Sequence, residues 1–254
     1  MPTWTPDALV SALATPGLGW LALAAFVAGM VRGFAGFGAG LVFVPVAAQV
    51  LPPLSALIAI SAMDLLGPIP NIPAALRRSD RGDLLRLVGA TLLVLPLGLW
   101  ALSMIAPELF RTGVSLLSLA MLACLIAGVR YRGTLGPRMV LGTGGLAGFL
   151  GGLAAMPGPP VILLYMASPN PVPVVRASIM SYLFFFDIVL LGLLAVQDRL
   201  ILVPVALGMA LALPNLLGNL AGAAIFRPGL DRVYRAVAYS IIAVSALSGL
   251  PIWE

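Results

Sequence analysis

The chain has 254 residues, of which 61% are hydrophobic and only 9% are charged. A soluble domain carries about a quarter charged residues, so this chain has too few polar groups to cover a water-facing surface. Its net charge is +5, and every basic residue is an arginine. Most of the arginines stand in short clusters between apolar runs, which indicates topology signals rather than a nucleic-acid surface. With no histidine and one cysteine, no catalytic residue, metal site or cofactor is predicted.

Eight apolar segments follow one another along the chain. Their approximate bounds are 20–50, 54–76, 84–106, 109–129, 139–168, 174–196, 200–226 and 233–252. Continuous apolar runs favour membrane helices over a β-barrel, whose strands alternate in polarity. Six segments fit a single span of about 20 residues. The other two, 20–50 and 139–168, would each measure roughly 45 Å as one helix, against a hydrocarbon core of about 30 Å.

Glycine and proline interrupt both of the overlong segments. The first contains the run Gly-Phe-Ala-Gly-Phe-Gly-Ala-Gly at 33–40, followed by Pro45. The second contains Gly-Phe-Leu-Gly-Gly at 148–152, followed by Met-Pro-Gly-Pro-Pro at 156–160. We therefore expect each to form two half-length helices with an unwound turn between them. The sequence thus predicts an all-α integral membrane protein with up to ten helices.

Four short motifs recur in the same order in the two halves of the chain, 1–130 and 131–254. The matched pairs are 33–36 with 148–151, Asp64 with Asp187, 93–96 with 211–214, and 110–111 with 234–235. We interpret the halves as two transmembrane repeats of about four segments each, which together form one functional unit.

The arginine clusters predict how these repeats are oriented. The clusters comprise Arg77, Arg78, Arg81 and Arg86; Arg130, Arg132 and Arg138; and Arg227, Arg232 and Arg235. Basic loops are cytoplasmic in most membrane proteins. All three clusters are cytoplasmic only if segment 139–168 enters the membrane and returns to its own side. The halves then form an inverted repeat, the common plan of secondary transporters, with both termini outside.

The two broken segments are the best candidates for a substrate site. A helix that begins inside the membrane presents unpaired amides and a partial positive charge, which suits an anion. The alternative is that these glycines only allow close helix packing. The predicted substrate-binding residues are Arg32, Gly36, Phe37, Gly38, Gly40, Asn71, Pro157, Gly158, Pro159 and Asn215.

Two carboxylates lie within apolar segments, Asp64 and Asp187. A charge at the centre of a bilayer costs about 2.5–3.5 kcal/mol on insertion scales, so such residues usually have a function. They could exchange protons that couple to transport, or arginine or backbone partners could hold them as structural locks. A third reading places them near the interface, where water solvates them. We retain both as proton-coupling candidates.

The pattern Gly-Phe-Ala-Gly-Phe-Gly-Ala-Gly followed by Pro45 resembles the signature of the sulfite exporter TauE/SafE family. The second-half run 148–152 with Pro157-Gly158-Pro159-Pro160 is similar to that family's Gly-Gly-Pro element. Phe37 and Ala39 interrupt the glycine run that the family commonly shows. The resemblance implies a multi-pass transporter of the bacterial inner membrane. Its substrates would be sulfite, organosulfonates such as sulfoacetate, or related carboxylates.

The sequence therefore predicts a secondary transporter that moves a small anion by alternating access and is coupled to protons. Its expected partners are that anion and membrane lipid, without nucleic acid. In this picture one half rocks against the other around a central site. An anion channel and a carrier for a non-sulfur carboxylate are the alternatives. A membrane enzyme is disfavoured because no histidine and no clustered carboxylates are present.

Overall fold

A computed structural model describes residues 6–35, 38–127, 136–165, 170–225 and 231–251, and all regular secondary structure within these ranges is helical. The helices are α1 (Pro6–Leu13), α2 (Leu18–Ala35), α3 (Ala39–Ala47), α4 (Pro53–Leu66), α5 (Ile72–Arg78), α6 (Arg81–Ser103), α7 (Pro107–Ile126), α8 (Pro137–Ala154), α9 (Gly158–Tyr165), α10 (Val172–Val196), α11 (Leu202–Ile225) and α12 (Asp231–Ser248). A short 3-10 helix, Ile69–Asn71, lies between α4 and α5.

Ten of these helices correspond to the ten that the sequence predicts, and both overlong segments are broken as expected. The pieces are unequal rather than all half-length, because α2 and α8 have 18 residues each, whereas α3 has nine and α9 has eight. Two further helices were not predicted. The short α1 precedes the first apolar segment. Segment 54–76, predicted as a single span, instead ends its first helix at Leu66, and α5 follows separately. The interruption follows from Pro68, Pro70 and Pro73, which lack the amide hydrogen that a continuous helix needs.

Four helices in the described part of the chain are long and apolar enough to cross a membrane, namely α6, α7, α10 and α11. A fifth span results if α1 and α2, which meet at 83°, are taken together. The helices α4 and α12 are apolar but shorter. Of the pieces of the two broken segments, only the second ones, α3 and α9, are half-length.

Helices α2 and α11 meet along a seam of glycines. A Cβ on Gly29 would lie 2.0 Å from the carbonyl oxygen of Asn215, and one on Gly33 would lie 2.3 Å from that of Asn219. From the other side, a Cβ on Gly218 would lie 2.0 Å from the carbonyl oxygen of Phe26. No side chain fits at these distances, so the two backbones are in direct contact. Contacts farther toward the C-terminus of α2 involve residues farther toward the C-terminus of α11, so the two helices run parallel.

A second glycine seam joins α6 and α8. A Cβ on Gly144 would lie 2.6 Å from the carbonyl oxygen of Leu87, and one on Gly148 would lie 2.8 Å from that of Thr91. Gly98 on α6 similarly faces the carbonyl oxygen of Phe149, at 2.4 Å. These contacts also advance in step, so α6 and α8 run parallel. Each seam pairs a helix of 1–130 with a helix of 131–254.

Candidate substrate site at the two helix breaks

The first break separates α2 from α3. Gly38 precedes α3 with a φ of +97°, a left-handed conformation that glycine adopts at little cost. The first turn bond of α3 runs from the amide of Val42 to the carbonyl of Gly38, at 3.2 Å. The amides of Ala39, Gly40 and Leu41 precede this bond, so the helix provides no carbonyl for them. These three consecutive amides lie at the start of a helix inside the bundle.

The second break separates α8 from α9 and is built differently. Ala155 adopts a left-handed conformation, with a φ of 54°, and its amide donates to the carbonyl of Gly151 at 2.9 Å. Helix α9 begins at Gly158, and its next two residues are Pro159 and Pro160. Proline has no amide hydrogen. The start of α9 therefore has a favourable dipole but fewer hydrogen-bond donors than the start of α3.

The two breaks meet at one cavity of about 60 Å³. A Cβ on Gly40 would lie 3.3 Å from the carbonyl oxygen of Ala155, so the two turns are almost in contact. The lining residues come from α2, α3, α4, α10, the second break and α9. A volume of this size accommodates roughly four to six water-sized spheres, which is the scale of a small oxyanion such as sulfite.

Three charged side chains line the cavity, and they are not equivalent. Arg32 donates two hydrogen bonds to the two oxygens of Asp64, one of them at 3.0 Å. These side chains are 21% and 14% exposed. Asp187 is 7% exposed and lies close enough to both for their charges to interact. The buried Ser61 is the polar neighbour of the Asp187 carboxylate.

Most of the predicted site residues are at this cavity. Arg32, Gly38, Gly40, Pro157, Gly158, Pro159, Asp64 and Asp187 all line it. Gly36 and Phe37 lie outside the described residues. Asn71 is exposed in the 3-10 helix and does not line the cavity. Asn215 does not line it either, because its amide donates to the carbonyl of Ala25 at 3.2 Å and so fastens α11 to α2.

Several lining residues were not predicted. Ser61 is three residues before Asp64 on α4, and this helical spacing places both on one face. This spacing is the sequence signal that could have identified Ser61 as a cavity residue. The apolar residues Ile60, Ile162 and Phe186 also line the cavity. Nothing in a uniformly apolar segment distinguishes such residues from those that face lipid or other helices.

The model of the sulfite exporter TauE/SafE family matches residues 21–249, nearly the whole chain. The chain belongs to this family. No curated protein and no solved structure matches it significantly. Family membership together with the long apolar helices makes the chain a multi-pass membrane protein of a sulfur-anion transporter family rather than of an enzyme family. The family implies that the transported solute is a small anion.

Proposed function

We propose that this TauE/SafE protein is a proton-coupled carrier of sulfite or a small organosulfonate in a bacterial inner membrane. The single observation that carries the proposal is that two helix breaks from opposite halves of the chain converge on one cavity. An oxyanion there would accept hydrogen bonds from the first amides of α3. Arg32, at the wall of the same cavity, would supply the nearest full positive charge.

The predicted plan of two inverted repeats has support from the helix pairing. That plan requires α2 and α11 to enter the membrane from the outside, and α6 and α8 to enter from the cytoplasm. Each pair must then be parallel, which agrees with the order of contacts along both glycine seams. The first segment of each half is also broken at the corresponding place. Both repeats contribute walls to one cavity, which favours a single functional unit.

The size of the cavity favours sulfite, with one sulfur and three oxygens, over a larger organosulfonate in this conformation. A site between broken helices of two repeats is also typical of a carrier rather than of an open channel. A carboxylate of similar size offers the same oxygen acceptors, so the experiment must compare the two classes of anion.

Counterflow in proteoliposomes tests the proposal. Vesicles preloaded with unlabelled sulfite should accumulate labelled sulfite, and excess sulfite or methanesulfonate should compete more strongly than acetate. Linear, unsaturable flux would indicate a channel. Preference for acetate would indicate a carboxylate carrier.

Gly38→Leu provides the site-specific control for this assay. A leucine at a φ of +97° is strained, and its side chain would press on Val31 and Ile242 beside the break. We expect loss of counterflow with normal purification and a normal elution volume. The matched variant is Gly142→Leu, because a Cβ at Gly142 meets no atom within 4 Å. Wild-type counterflow by the Gly38 variant would contradict the site.

A further inference from the structure

Asp187 and Asp64 compete for one positive charge at the cavity. We propose that Asp187 is the residue that carries the coupling proton, while Asp64 stays ionised against Arg32. This inference rests on the proposed function and assigns different roles to the two carboxylates. Asp64 holds both outer nitrogens of Arg32 through a two-point hydrogen bond. Asp187 has no such pairing, and the polar side chain beside it at the cavity is the neutral Ser61.

The immediate surroundings of Asp187 contain few groups that could balance a negative charge. The charged groups around it are Arg32 on α2 and Asp64 on α4. On its own helix the nearest titratable group is Tyr182, whose hydroxyl is hydrogen bonded to Thr91 at 2.9 Å. The described residues of α3 and α9 that line the cavity are uncharged. A buried carboxyl without a cationic partner takes up a proton more readily than it stays ionised.

The charge balance of the cavity links this proton to the anion. With both carboxylates ionised, the three side chains sum to −1, and a second negative charge is repelled. With a proton on Asp187 the sum is zero, and the helix starts and Arg32 then favour an anion. Each ligand therefore strengthens the binding of the other, because linkage between two sites is reciprocal. The result is transport of one proton with each monoanion in the same direction, whichever gradient drives it.

The test uses purified protein, methanesulfonate as the binding probe, and Asp187→Asn. A sulfonate stays ionised over the whole working pH range, so any pH dependence belongs to the protein. For the wild type we expect affinity to fall about tenfold per pH unit once the proton dissociates. Asp187→Asn keeps the shape of the side chain but cannot release a proton. Its affinity should be constant with pH.

Transport gives the second readout, in proteoliposomes that contain a pH-sensitive dye. The wild type should take up one proton per methanesulfonate. Asp187→Asn should lose proton uptake and the acceleration by an imposed pH gradient, and any anion counterflow that it keeps should be independent of pH. Asp64→Asn, which leaves Arg32 to face Asp187 alone, should retain a pH dependence, but with a changed midpoint and a changed affinity. Asp83→Asn, at an ion pair that does not line the cavity, should behave as wild type.

The outcomes separate the two proposals. Proton uptake or pH-dependent binding that persists in Asp187→Asn overturns the role of Asp187 and leaves the anion carrier standing. If the wild type transports these anions without any proton uptake, the role of Asp187 is likewise overturned and the anion carrier stands. This outcome needs only the wild type, so it holds even if Asp187→Asn does not fold. If the wild type neither binds nor moves any of the anions, both proposals are overturned.

Discussion

The bond between Arg32 and Asp64 should contribute far more to stability than an ordinary surface ion pair. Its side chains are only 21% and 14% exposed, and two charged hydrogen bonds join them. Hydrogen bonds to charged groups contribute about 1.5–3 kcal/mol each, whereas exposed pairs contribute about 0.2–1 kcal/mol. We therefore expect a coupling free energy above about 1.5 kcal/mol between these residues. Arg32→Met alone, which leaves Asp64 without its partner, should cost about 3–5 kcal/mol.

A double-mutant cycle measures this coupling. The variants are Arg32→Met, Asp64→Leu and the double substitution, and the free energy of unfolding is followed by titration with sodium dodecyl sulfate in mixed micelles. The double variant should be more stable than either single one, since neither charge is then left alone. Arg86 and Asp83, joined at 2.8 Å with Arg86 42% exposed, provide the control cycle. A coupling at Arg32–Asp64 no larger than the control would show a solvated pair and refute the reasoning.

Two further substitutions distinguish a residue at the cavity from a residue that only stabilises the helix packing. Gly40→Val should raise the KM for sulfite several-fold or abolish transport, because the new side chain would press against the carbonyl of Ala155 where the breaks meet. The control, Gly142→Val, adds its side chain in open space and should leave the KM unchanged. Equal KM values for the two variants would contradict this geometry. Asn215→Ala should lower the free energy of unfolding by about 1 kcal/mol through loss of its bond to Ala25, with the KM for sulfite unchanged. A several-fold rise in the KM for sulfite without loss of stability would instead indicate that Asn215 belongs to the substrate site.

Broken helices could be predicted because their causes are local. A segment too long for one span and interrupted by glycine and proline has few other arrangements in lipid. The same reasoning should have divided segment 54–76, which contains Gly67 and Pro68, but its length fitted a single span. Helix α1 was missed because it has only eight residues and lies before the first long apolar run; of its described side chains, only Ala8 and Ala12 are buried.

Partners across the bundle could not be predicted in this way. Arg32 and Asp64 are separated by 32 residues, and only the packing of α2 against its neighbours brings them together. Asn215 seemed a suitable cavity residue because it follows a proline in an apolar span. The structure instead turns it to a backbone carbonyl on α2, which satisfies it inside the bundle. Polarity in an apolar segment indicates a buried bond but does not identify the acceptor.

The glycine seams determine which helices can move as blocks. Separating residues 1–130 from 131–254 would pull α2 from α11 and α6 from α8, where backbone atoms touch and no side chain can adjust. A transport cycle that preserves both seams must carry α2 with α11, and α6 with α8. Arg32 then travels in one block, while the turn at Ala155 and Gly158 follows α8 in the other. The surface along which the two blocks slide would therefore pass through the cavity itself. Each block would also contain helices from both repeats.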